Sequence, residues 1–193
     1  MSSDSDAISS SSQETSQPRL ARVLWLLPLI FIIHDGEELL TMPGWIANHQ
    51  QELDQLARMS DIAAEMARSL PTTTSQVAIA IGFILLLFMV ITLGASISCR
   101  RGFWLYAYAG LLGVLFLHVF THIGQAILVG GYAPGVIGAV GAIIPGALYI
   151  YKRLFEAQLL TLKSAAITAI IGFALFVPGA MLAHQFGRML GSG

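Results

Sequence analysis

Charge is scarce in this chain: only 11% of residues are Asp, Glu, Lys or Arg, against about 25% in ordinary soluble domains. None of them falls between Val23 and Ile33. What charge there is balances, with 10 basic and 11 acidic residues and a net charge of −1. A nucleic-acid partner, which would need a basic face, is therefore not expected. Cysteine is nearly absent too. The single Cys99 excludes an internal disulfide and every cysteine-built zinc module. Beside Arg100 and Arg101 it reads as a plain free thiol, with juxtamembrane lipidation as the alternative.

What fills the gap is hydrocarbon. Hydrophobic residues make up 55% of the 193, and the mean hydropathy is +0.73. Residues 20–41, 77–98, 103–129, 133–151 and 162–183 each approach the roughly 20 residues that cross a bilayer core. They lack the alternation of a barrel strand, so the spans must be helices. The expected fold is all-α: a polytopic membrane bundle of about five transmembrane helices, with an amphipathic surface helix over about 50–70. That surface helix carries Asp54/Arg58 and Glu65/Arg68 as helical pairs on its wetter side. A Ser-rich tail over 1–18, too poor in apolar side chains to offset its ordering entropy, precedes a single embedded domain over 19–187. A short tail over 188–193 follows it. The first apolar run meets no small-residue cleavage site, so it reads as a retained helix, bent near Pro28 and ended by Pro43-Gly44.

Small residues Gly138, Ala142 and Gly146 form a face on the fourth span that lets a neighbour approach, and Pro145 should kink it. A cytoplasmic N-terminus would put Arg19, Arg22, Arg100, Arg101, Lys152, Arg153 and Lys163 inside, leaving Arg58, Arg68 and Arg188 outside. Trp104, Tyr106, Tyr108, Tyr149 and Tyr151 then sit at the inner interface. The expected location is a bacterial inner membrane, N-terminus cytoplasmic and C-terminus outside, with membrane lipid as the partner and oligomeric state open.

The exception to the apolar pattern is the run His34-Asp35-Gly36-Glu37-Glu38. Helical spacing puts His34, Glu37 and Glu38 on one face, with Asp35 pointing away as a helix-end acid or an orienting acceptor for a histidine. Counting about 1.5 Å per residue from the inner ends, His34 and Glu38 lie roughly 20 and 26 Å up, His118 and His122 roughly 22 and 28 Å. His184, on the last span, lies slightly higher. His118, Thr121, His122 and Gln125 make a polar stripe on an apolar helix, expected to turn inward because such groups are expensive in lipid. His49, in the loop after Trp45, reads as a surface histidine. The His-x-x-Glu-Glu run, the His118/His122 pair and Tyr132-Ala133-Pro134-Gly135, in this order, resemble the HXXEE-domain family of small bacterial integral membrane proteins, from about Leu26 to Phe155. The resemblance implies a membrane protein and carries no activity.

His34, Glu37, Glu38, His118, His122 and His184 are thus candidate ligands for a divalent metal, zinc or iron, since imidazole and carboxylate suit both. Glu37 or Glu38 would be the catalytic general base of a metal-dependent hydrolase or oxidase acting on a lipid-like substrate from the outer leaflet. Two other classes use the same residues: a proton or cation path, and a His–Glu network that only holds helices together. Five spans without an evident inverted repeat weigh mildly against a transporter.

Overall fold

The computed structural model of the chain describes residues 19–61, 64 and 73–190. The expected tail over 1–18, the greater part of the surface helix beyond Asp61 with its Glu65/Arg68 pair, and residues 191–193 lie outside the described residues. Within them every regular element is helical: α1 Leu26–Asn48, α2 Gln50–Ala57, α3 Thr74–Ser98, α4 Phe103–Leu128, α5 Val136–Glu156 and α6 Leu162–Leu190, with a helical turn at 19–24 before α1. The chain is an all-α, polytopic membrane protein. Four helices, α3 to α6, are long and apolar enough to cross a membrane. α1 has the length, at 23 residues, but every 18-residue stretch of it contains Asp35, Glu37 and Glu38. It packs among the others, against α3 and α5.

The bend expected near Pro28 falls at Trp25, and the geometry explains it. Proline lacks the N–H that would bond the carbonyl of Leu24, four residues earlier, so it fits best in a first turn. The helix accordingly restarts at Leu26. The freed Leu24 carbonyl accepts the hydroxyl of Tyr108, 2.9 Å away and fully buried. Tyr108, expected as an interfacial anchor, is thus a core residue tying α4 to the start of α1. Around it Leu24, Leu27, Phe31, Phe88, Leu105, Leu112, Ile150 and Leu154 form the core, with Phe31 and Phe88 rings 4.5 Å apart.

Two further expectations about helix ends are corrected. Pro43-Gly44 does not stop α1, which runs on to Asn48. Tertiary contacts hold the extra turn: Ile46 is buried, the Trp45 indole donates to the Tyr132 carbonyl at 3.0 Å, and His49 stacks on Trp45 at 4.3 Å. α6 likewise passes residue 183 and reaches Leu190, because Gly187 packs on the backbone of Gln76 and Phe186 meets Phe83 at 6.0 Å.

Glycine decides which helices touch. A Cβ on Gly138 would stand 2.8 Å from the His34 Cα, and one on Gly146 would stand 2.7 Å from Ile30 Cγ2, so the small face of α5 is where α1 docks. α4 and α6 approach the same way, with Gly110 against Gly172 and Gly113 against Ala169. Pro145 produces a π turn rather than a simple kink. Ile144 donates to the Ala139 carbonyl five residues back, which widens the coil over Ala139–Ile143 just ahead of the proline ring. At one end of the bundle Arg101 donates to the Gln158 carbonyl at 2.5 Å; at the other Trp45 reaches Tyr132. The loops after α3 and α5 therefore share one end, and those after α1 and α4 the other.

Two substitutions test this packing by thermal melting in detergent. Tyr108→Phe leaves the Leu24 carbonyl buried without a donor and should lower stability by about 1–3 kcal/mol. Gly113→Ala drives a Cβ to within 2.4 Å of the Ala169 Cβ and should cost about 1–3 kcal/mol. Gly124→Ala, on the same helix with nothing within 4 Å, should be neutral or slightly stabilising.

Candidate metal centre

Four side chains from two helices meet in one place. α1 supplies His34 and Glu38, and α4 supplies His118 and His122; each pair is spaced i, i+4, so each lies on one helical face. One ligand atom from each of the four lies within 4.8 Å of all the others. The carboxylate oxygen Glu38 Oε1 is 3.3 Å from His122 Nε2 and 3.9 Å from His34 Nε2. The three imidazoles stand edge to face, with ring centroids 4.3, 4.7 and 5.8 Å apart. His34 and His122 are buried to 1% and 3% exposure, and Glu38 to 12%.

The chain between α4 and α5 closes over this cluster. Gly135 takes φ of +83°, a conformation that favours glycine, and a Cβ there would lie 2.6 Å from His122 Cε1, 2.8 Å from His34 Cε1 and 2.9 Å from Glu38 Oε1. The roof of the site is therefore bare backbone. Ala133, two residues earlier, is fully buried.

Glu37, the neighbour of Glu38, does something else. Its carboxylate accepts the backbone N–H of Gly138 at 2.5 Å and of Ile137 at 3.3 Å, which are unpaired donors of the first turn of α5. It also accepts the Tyr132 hydroxyl at 2.7 Å. Partial burial, together with the Glu37 carboxylate, holds the Tyr132 phenol above its ordinary range, so the phenol keeps the proton it donates. Thr41 stands beside it, its Oγ1 3.2 Å from the Tyr132 oxygen and donating to the Glu37 carbonyl at 2.8 Å.

The donor set fits a metal on one observation above all. Both ring nitrogens of His34 and both of His122 are buried without a well-formed hydrogen bond, although the Gly135 and Pro134 backbone lies close beside them. Leaving such groups unpaired costs about 1–3 kcal/mol each. His118 is oriented by its neighbour: the Thr121 hydroxyl donates to the His118 carbonyl at 2.7 Å and so accepts from Nδ1–H at 2.9 Å, which leaves Nε2 its lone pair. Three neutral imidazoles and a carboxylate are a donor set that zinc and iron both take.

The expected residues divide accordingly. His34, Glu38, His118 and His122 come together. Glu37 is engaged with the start of α5, and His184, half-buried on α6, is outside the four-residue group though within electrostatic reach of His118. Asp35 is buried and near Glu38, but bonds neither His34 nor His122. His49 stays with Trp45, away from the cluster. The polar stripe of α4 is not wholly interior: Thr121, on the flank of the histidine face, and Gln125, near the end of the helix, are exposed. What sequence spacing did not assign is the part played by Tyr132, Gly135 and Gly138. The Tyr-x-Pro-Gly run was their signal, and only contact with α1 gives it a meaning.

Neither curated proteins nor solved structures include a match to this chain. Residues 25–150 match the family described as a protein of unknown function with HXXEE motif. That stretch holds His34, Glu37, Glu38, the histidine pair of α4 and the Gly135 roof, and the chain belongs to the HXXEE family.

Proposed function

We propose that His34, Glu38, His118 and His122 bind one divalent metal ion, zinc or iron, as the centre of a membrane metalloenzyme acting on a lipid-like substrate. The observation that carries this reading is the convergence of one ligand atom each from His34, Glu38, His118 and His122, with the ring nitrogens of His34 and His122 buried and lacking well-formed hydrogen bonds. A network serving only to hold helices together would join these nitrogens to the carboxylate by well-formed hydrogen bonds, and a proton path would link them in a chain of such bonds. Here Glu38 Oε1 approaches His122 Nε2 at 3.3 Å and His34 Nε2 at 3.9 Å without making one.

An ion held here supplies Lewis acidity and, if it is iron, redox chemistry. The protein's own contribution is arrangement. Thr121 fixes the His118 ring, and the Gly135 backbone covers the rings and excludes water from that side. Glu38, the acid facing the histidines, balances charge at Oε1 and has a second oxygen with which to hold or pass a proton. Glu37 is assigned to positioning, because its oxygens are taken by Tyr132, Ile137 and Gly138.

The proposed setting is a bacterial inner membrane, with α1 as a fifth crossing and the N-terminus cytoplasmic. Arg19, Arg22, Arg100, Arg101, Lys152, Arg153 and Lys163 then share the inner end, and the cluster falls in the outer half of the bilayer. The substrate class follows from that depth, where hydrocarbon is what surrounds the site.

Elemental analysis of detergent-purified protein tests the centre. Wild type expressed with metal supplied should carry close to one zinc or iron per chain, and a His118→Ala/His122→Ala variant of matched folding should carry none. Absence of metal from both would reject the reading. The two glutamates should separate: Glu38→Gln should lower metal affinity by about 10–100-fold. Glu37→Gln should keep the metal yet lose about 1–2 kcal/mol of stability, read as a lower Tm, as its charge leaves the α5 terminus. Equal loss of metal in both variants would contradict the division of roles.

A further inference from the structure

An opening in the described bundle is distinct from the histidine cluster. It is an apolar groove of about 750 Å3 between α3, α4 and α6, walled by Phe83 and Leu87, by Leu175 and Phe186, and floored by Tyr106 and Gly110. No charged residue lines it. Thr168 does, but its hydroxyl donates within its own helix, to the carbonyls of Ser164 at 2.9 Å and Ala165 at 3.1 Å. Tyr106 stands at the basic end, where an interfacial phenol belongs. Nothing in the groove asks for a polar partner, and all three helices that form it are long and apolar enough to cross the membrane.

Its shape and lining favour one occupant. Along α6 the lining runs from Thr168 to Phe186, roughly 27 Å at about 1.5 Å per residue, and along α3 (Phe83 to Ile91) and α4 (Phe103 to Leu111) roughly 12 Å. A hydrocarbon chain, long and without polar groups, matches an uncharged groove whose three walls stand in hydrocarbon.

The groove also leads toward the metal centre. On α4 its lining ends at Leu111, roughly 10 Å along the helix from His118. On α6 the lining residue Ala183 adjoins His184, which lies within electrostatic reach of His118. A chain lying in the groove would bring its head end to the level of the histidines.

We propose that this groove binds one hydrocarbon chain of a membrane lipid, the tail of the substrate that the metal centre acts on; the inference rests on the function proposed above. The depth of the groove comes from missing side chains, and Gly179 is the position to fill: it lines the groove, and a Cβ there meets nothing within 4 Å.

The test uses full-length protein in phosphatidylcholine vesicles containing a phosphatidylcholine with a photoactivatable diazirine on one acyl chain. Adducts are mapped by peptide mass spectrometry, and metal content is measured on the same samples. Adducts should concentrate on Phe83, Leu87, Leu175 and Phe186 over Leu29 and Ile137, which are exposed outside the groove. Gly179→Phe should reduce the groove adducts about tenfold, the effect of displacing roughly two buried methylenes, while leaving adducts at Leu29 and Ile137 unchanged. Leu175→Trp serves the same purpose should Gly179→Phe fail to fold. Uniform labelling, or groove labelling indifferent to these variants, overturns the proposal. Cross-linking of two copies through the groove without lipid adducts also overturns it. Bound metal with an unlabelled groove removes this inference and leaves the metal centre standing. A labelled groove in metal-free protein keeps the chain-binding site and removes its role in a metal reaction.

Discussion

The Glu37 carboxylate seated on the first turn of α5 is the contact on which the arrangement depends. A partly buried carboxylate at the mouth of an apolar bundle is stabilised by donors fixed around it, and here they are two backbone N–H groups and a phenol. The partial positive charge of a helix N-terminus supplies the rest. This contact locks α5 to α1 one residue before Glu38. It thereby sets the position of the Gly135 roof over the rings. Adjacent glutamates thus divide the work: one holds the walls and the other faces the cluster.

The same economy appears wherever the helices depart from regularity. Pro28 frees the Leu24 carbonyl, and Tyr108 satisfies it from a neighbouring helix. Pro145 is met by a π turn within α5. In hydrocarbon a backbone group without a partner is expensive to leave, and these two prolines are met by a donor and by a change of pitch. Among the described residues a few buried side-chain atoms stand outside this pattern, Thr92 Oγ1, Asp35 Oδ2 and Arg153 Nε among them, but only at His34 and His122 are both nitrogens of a ring left so. Against that background of satisfied groups, their lack of partners carries information about a ligand.

Seen from the cluster, the bundle has two unlike sides. α1 and α5 press closely through Gly138 and Gly146 and seal one flank. α6 buries little of its surface and leaves the apolar groove open along α3 and α4. A polar centre closed on one side and approached by an apolar groove on the other suits a molecule with a reactive head and a long tail. The asymmetry follows from where the glycines lie: those of α5 admit a helix, whereas Gly179 of α6 admits none.

Scarcity of charge and the length of the apolar runs determined the helical membrane fold, because a bilayer leaves the backbone few ways to satisfy its own groups. The i, i+4 spacing of His34/Glu38 and of His118/His122 determined that each pair shares a face, and counting residues from the basic ends put both pairs at one depth. Spacing has no access to which side of a helix meets which neighbour. For that reason Glu37 and Glu38, almost equivalent in sequence, are told apart only by the N-terminus of α5 arriving from a hundred residues away. The end of α1 at Asn48 rather than Pro43, the burial of Tyr108 and the outward turn of Thr121 are of the same kind. Each is settled by a contact between segments distant in the chain, where packing and hydrogen bonding outweigh local preference.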